Sequence, residues 1–78
     1  MKYFKLTISF KLNKERLFDD VWDAQKCVGK RASMTSIKNG MRIIDWTFDN
    51  PNEAMAAERR LPAAYDKSVC TIEKRVER

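Results

Sequence analysis

The sequence predicts an α+β domain whose elements run β-α-β-β-α-β, and three observations carry that expectation. Residues 3–12 alternate apolar and polar side chains without a break, which is the period of a half-buried strand. Asn39-Gly40 separates two strand-like runs, and this pair suits a two-residue type I′ turn because both central positions need positive φ. The segments before and after that hairpin switch to helical spacing, and each opens on an asparagine able to cap a helix.

Each element has its own justification. In the first strand Phe4, Leu6, Ile8, Phe10 and Leu12 fall on one face, with Tyr3, Lys5, Thr7, Ser9 and Lys11 on the other. Asn13 then caps a helix in which Leu17, Phe18, Val21, Trp22 and Val28 form the apolar stripe, and Gly29 stops it. Its far side carries Arg16, Asp19, Asp20, Asp23 and Lys26, a pattern that suits a solvated helix surface. A two-residue loop at Asn39-Gly40 pairs Lys38 with Met41, Thr35 with Ile44 and Ser33 with Trp46. Ile37, Ile44, Trp46 and Phe48 then share the core face. Asn50 with Pro51 at the first helical position starts a second helix, with Glu53 at the third helical position closing a capping box. Pro62 disfavours helical geometry at Leu61 and ends it. A last strand near Ser68–Val76 turns Cys70 and Ile72 inward and Val69, Thr71, Glu73 and Arg75 outward. No linker, repeat or low-complexity tract interrupts residues 1–78, which read as one domain.

Two right-handed crossovers interleaved through a hairpin give a four-stranded antiparallel sheet with both helices on one face. Over the whole chain this resembles the ferredoxin-like plait, with spatial strand order 4-1-3-2. That architecture hosts many unrelated functions, so function must come from the residues.

Composition excludes much chemistry. The chain has 78 residues, a net charge of +5 and no histidine, so histidine-dependent triads, histidine metal ligands and histidine pH switches are absent. Cys27 and Cys70 are too few for a disulfide framework and are expected as reduced, buried thiols in a cytoplasmic protein. A cysteine pair without histidine does not supply a zinc site, and no cofactor is implied. The residues at the start alternate charge with apolar side chains, unlike a signal peptide, and no apolar run approaches the length of a membrane span.

Charge is distributed unevenly. Residues 1–16 carry +4, 17–29 carry −2, 30–42 carry +4, 43–58 carry −4 and 59–78 carry +3. The basic blocks are mostly strands and strand ends, the acidic blocks mostly helix. The expected electrostatic contacts are Lys5, Lys11, Lys38 and Arg75 on the open sheet face, with Arg42 just past the hairpin turn. Arg31, Arg59 and Arg60 are secondary candidates, the last two with Lys67 as a phosphate-holding group. The same charges also suit a soluble strand face.

Known uses of this topology fit poorly. The RNA-recognition motif stacks bases on aromatics of its central strands, but the outward positions here offer Tyr3, Met41, Ile43, Asp45 and Thr47. Acylphosphatases resemble the chain in topology and use a glycine-rich phosphate loop after the first strand; Lys11–Arg16 contains no glycine. Heavy-metal-binding plaits carry a Cys-x-x-Cys loop there, and this chain has none.

Met34, Met41, Ile43 and Val69 fall outward among the charges, which points to a covered surface, either a homodimer or a protein partner. A one-residue register shift would instead exchange them with the core set. In size, charge and lack of catalytic groups the chain resembles the short counter-defence proteins of large tailed phages. T-even phage inhibitors of RNA-containing toxin–antitoxin systems and anti-CRISPR proteins are examples. That resemblance implies a target built of protein and RNA. The expectation is a non-enzymatic binder of RNA or a ribonucleoprotein, with a protein-only inhibitor or dimeric scaffold as the alternative.

Overall fold

A computed structural model of the chain describes residues 2–67 and 71–74. The elements are β1 (Lys2–Lys11), a 3₁₀ turn (Lys14–Arg16), α1 (Leu17–Val28), β2 (Met34–Lys38), β3 (Met41–Phe48), α2 (Pro51–Arg60), β4 (Asp66–Lys67) and β5 (Thr71–Lys74). All strands join one antiparallel sheet in the order β2-β3-β1-β4, and β5 also pairs with β1. From the opposite edge the order is last, first, third, second. The departure from a plain four-stranded plait is that two short segments share the last position.

Alternation in β1 and β3 decides which side of the sheet is covered. Phe4, Leu6, Ile8 and Phe10 lie opposite Phe48, Trp46, Ile44 and Arg42. Leu6, Ile8, Ile44 and Trp46 are fully buried, together with Ala24 of α1 and Ala54 and Ala57 of α2. Burial of each aliphatic side chain of this size stabilises by about 1.5–3 kcal/mol. Val28, Phe48 and Leu61 close the same cluster, so both helices sit on one face. The alanines let the helices approach the large β residues closely.

The hairpin follows the predicted register, with Lys38 opposite Met41 and Thr35 opposite Ile44. Asn39 and Gly40 adopt φ of 52° and 74°, the left-handed pair that a type I′ turn requires. The outward placement of Met34, Met41 and Ile43 is therefore a property of the fold and not a slipped register.

Other expectations need correction. Asn13 caps the 3₁₀ turn, its Oδ1 accepting from the Glu15 amide at 3.0 Å, and the α-helix starts only at Leu17. Trp22 belongs to no core stripe: Val21, Ala24 and Val28 face inward, while Trp22 is 60% exposed. The expectations for the Leu17 and Phe18 side chains fall outside the described ones. Ile37 lies on the covered side, opposite Arg42, yet is 53% exposed because β2 is the sheet edge and all five of its residues are exposed.

The second helix begins as expected. The Asn50 side chain accepts from the Asn52 amide at 2.8 Å, with Pro51 following. Leu61 leaves the helix with ψ of 133°, the extended geometry that a following proline imposes. The last strand starts earlier than predicted, at Asp66, and divides into β4 and β5. Ser68, Val69, Cys70, Arg75 and Val76 lie outside the described residues; Cys27 is a free thiol. No described helix is long and apolar enough to cross a membrane.

Candidate nucleic-acid interface

The open face is assembled from the odd positions of β1 and β3 and the even positions of β2. One row at the hairpin end reads Lys11, Met41, Lys38 across three strands. The next reads Asp66, Ser9, Ile43, Ser36, and the next Thr7, Asp45, Met34. Lys5 lies further along β1 opposite Thr47. With strands about 4.8 Å apart, Lys11 and Lys38 stand roughly 10 Å apart at the backbone, flanking Met41. Both are exposed, whereas Lys5 is half-buried.

This brings together Lys5, Lys11 and Lys38 with Met34, Met41 and Ile43. It also places Asp45 and Asp66 among them, so the face is mixed in charge, with its basic character concentrated at the hairpin end. Arg42 does not belong to it. Its register partners Phe10 and Ile37 put it on the helix side of the sheet, because even positions of β3 point there. Arg75 and Val69 fall outside the described residues.

The helix-side cations have structural employment. Arg60 donates from Nη1 to the Val28 carbonyl at 2.9 Å, tying the end of α2 to the end of α1. Lys67 donates from Nζ to the carbonyls of Glu58 and Leu61 at 3.3 and 3.2 Å, satisfying the C-terminus of α2. The expected phosphate group of Arg59, Arg60 and Lys67 is thus divided, and only Arg59 projects without a described contact. Among the described residues no group of three or more His, Cys, Asp or Glu is placed to hold a metal ion.

A second surface lies where α1 ends, and of its residues sequence reasoning named only Arg31 as a contact. A hollow of about 420 Å³ is lined by Trp22, Gln25, Lys26, Gly29, Lys30 and Arg31. A neighbouring hollow of about 410 Å³ shares Gly29 and Lys30 and reaches Phe48, Asn52 and Arg60. The loop between them is closely tied down. The Gly29 amide donates to the Gln25 carbonyl at 2.8 Å with φ of +78°, a conformation glycine adopts at little cost. Trp46 Nε1 donates to the Lys30 carbonyl at 2.9 Å, and the Ala32 amide donates to Gln25 Oε1 at 2.9 Å. Lys30 Nζ donates to the Thr47 carbonyl at 2.6 Å and lies 4.5 Å from the centre of the Phe48 ring. The Ser33 amide bonds the Asp45 carbonyl, and the Ser33 hydroxyl accepts from the Thr47 amide at 3.1 Å.

The signal for this corner is present in the sequence but ambiguous. Val21, Ala24 and Val28 already make a helical apolar stripe, and Trp22 stands beside it, three and four residues before Gln25 and Lys26. A large aromatic weighs heavily in a stripe, and the smaller Ala24 is easily passed over.

On the covered side Tyr65 packs edge-on against Phe10, ring centres 5.0 Å apart. Burial raises its hydroxyl pKa above the ordinary value of 10.0, and the negative potential of Cys27, Asp23 and Asp20 adds to the effect.

The chain matches no family model, and neither the curated proteins nor the solved structures supply a match.

Proposed function

We propose that this chain is a non-enzymatic binder that contacts RNA or a ribonucleoprotein through its open sheet face. The observation that carries the reading is the row Lys11, Met41, Lys38, with Lys5, Ile43 and Met34 on the same face. Cations set about one strand apart from apolar side chains suit a target that presents phosphates and protein surface side by side. That is also the kind of target met by the phage counter-defence proteins the chain resembles, and it would place the protein in the cytoplasm.

Fluorescence anisotropy with a labelled single-stranded RNA over a salt series tests this. Three phosphate contacts give a slope of log affinity against log salt of about −2. The triple variant Lys5→Ala, Lys11→Ala, Lys38→Ala is expected to flatten that slope and weaken binding. No binding at low salt, or binding indifferent to salt, would sink the reading.

A protein-only or dimeric role is favoured by a different feature, the edge strand β2. Met34 and Ile37 are 63% and 53% exposed on its two sides, and an uncovered edge is a template for strand addition. Sedimentation equilibrium at high concentration discriminates, since a strict monomer there would exclude self-association through this edge.

A further inference from the structure

We propose that the corner at the end of α1 is a site for one unit of single-stranded nucleic acid, with a base stacked on Trp22 and its phosphate held by Lys26 and Arg31. A single exposed tryptophan would mean little by itself. Here three independent features coincide around it. The ring is 60% exposed at the wall of a hollow of about 420 Å³, large enough to admit a nucleobase beside it. The hollow is lined by three cations and no carboxylate. Its floor is a loop already fixed by backbone and side-chain hydrogen bonds, so a ligand meets a preformed surface and little ordering opposes binding.

The cations divide by role. Lys30 is committed to the Thr47 carbonyl and the Phe48 ring, so it contributes fixed positive potential. Lys26 and Arg31 are exposed and make no hydrogen bond or ion pair among the described residues, which leaves them for phosphate. The C-terminal end of a helix ordinarily repels anions. In this corner Arg60 covers the Val28 carbonyl, and Lys26, Lys30 and Arg31 add positive charge around the helix end. On α1 Asp19 lies one turn before Trp22 and Asp23 one turn before Lys26, and neither carboxylate lines the hollow. The basic lining lies at the end of α1, so a stacked nucleotide would point its phosphate toward the loop and away from Asp19 and Asp23.

A flat aromatic surface beside unpaired cations favours nucleotides over other anions. Stacking is tolerant of base identity because every base has a π face. An acidic peptide or a sulfated glycan would use the charges and leave the indole idle. The site shares its ligand class with the open-face reading but none of its residues, so the two fail separately.

The test uses the full chain with an eight-nucleotide single-stranded RNA, and heparin as a polyanion without bases. Stacking is expected to quench the emission of exposed Trp22 while buried Trp46 is unaffected. Trp22→Ala should weaken RNA affinity roughly tenfold, the loss of one stacked base, and Trp22→Phe should restore most of it. Lys26→Ala with Arg31→Ala should weaken both RNA and heparin binding and reduce the RNA salt slope by about 0.7 for each phosphate no longer neutralised. Circular dichroism of each variant checks the fold, which exposed positions leave intact. Three results overturn the site: no RNA bound at low salt, equal RNA affinity for wild type and Trp22→Ala, or a Trp22→Ala loss equal for RNA and heparin. If the open-face triple variant abolishes binding while Trp22→Ala does nothing, this site falls and the sheet face stands. The reverse pattern removes the sheet face and keeps this corner.

Discussion

The open sheet face and the corner at the end of α1 both set apolar side chains among cations, yet they are built differently. On the sheet, Lys5, Lys11 and Lys38 alternate with Asp45 and Asp66 across rows dictated by strand register. In the corner, Lys26, Lys30 and Arg31 surround Trp22 without an opposing carboxylate in the lining. The sheet is broad and mixed, which suits a large partner met over many weak contacts. The corner is concave, single-signed and fixed by hydrogen bonds, which suits one small group held well. Net charge by itself describes neither, since residue position within rows and turns decides what each cation can reach.

Trp46 connects the two regions and gives the largest expected effect. It is fully buried opposite Leu6, and its Nε1 holds the Lys30 carbonyl. Trp46→Ala empties the centre of the core and should cost about 3–5 kcal/mol, a large share of the roughly 4–12 kcal/mol expected for a domain this small. Trp46→Phe is the sharper probe. It retains most of the apolar volume and removes the donor to Lys30, costing about 1–3 kcal/mol. Urea unfolding gives the cost, and amide exchange locates it. Exchange should quicken in residues 29–33 and stay slow in the β1–β3 ladder. Equal acceleration in both would show that the corner has no rigidity of its own.

The sheet is legible in the sequence and the corner is not, for a physical reason. Strand alternation has a period of two, so ten residues of β1 fix both faces, and Asn39-Gly40 fixes the neighbouring register. From these, Lys5, Lys11, Lys38, Met34, Met41 and Ile43 follow as one face. Arg42 departs from the expectation because its side is set by parity with Ile44 and not by closeness to the turn. A helix face is wider and its period less strict, so Val21 and Trp22 both fit a stripe that only Val21 joins. The loop 29–33 depends on contacts from Trp46, Thr47 and Arg60, distant in sequence, and no local pattern encodes those.

Gly29 offers a smaller perturbation confined to the corner. Its φ of +78° is strained for any residue with a Cβ, although a Cβ there would meet nothing closer than Arg60 Nη1 at 4.0 Å. Gly29→Ala should therefore cost about 1–2 kcal/mol through backbone strain and not through a clash. Chemical denaturation measures that loss. If the corner binds independently of the sheet, RNA affinity in the salt series should fall for Gly29→Ala while contacts through Lys11 and Lys38 are kept. A variant as stable as the parent would mean that the helix end relaxes to another geometry.

Tyr65 supplies the gentlest lever, and it acts beneath the sheet side alone. Its ring packs on Phe10, whose row of Phe10, Arg42 and Ile37 adjoins the row of Lys11, Met41 and Lys38. The folded protein holds the phenol neutral more strongly than the unfolded chain does, since its pKa is raised above 10.0 by burial first and by Cys27, Asp23 and Asp20 next. Between the unfolded and folded pKa values the native state binds more protons, so stability falls as pH rises. The contribution is fully present below about pH 10 and is lost as pH climbs through the raised value. Urea midpoints taken from pH 8 to pH 11 should thus be level at first and then decline. Tyr65→Phe should lessen the decline, and Cys27→Ser tests the contribution of the neighbouring thiol to it. An unchanged alkaline slope in Tyr65→Phe would show that the phenol is hydrated in the native state and that Phe10 lacks the dry contact on which the hairpin end of the sheet rests.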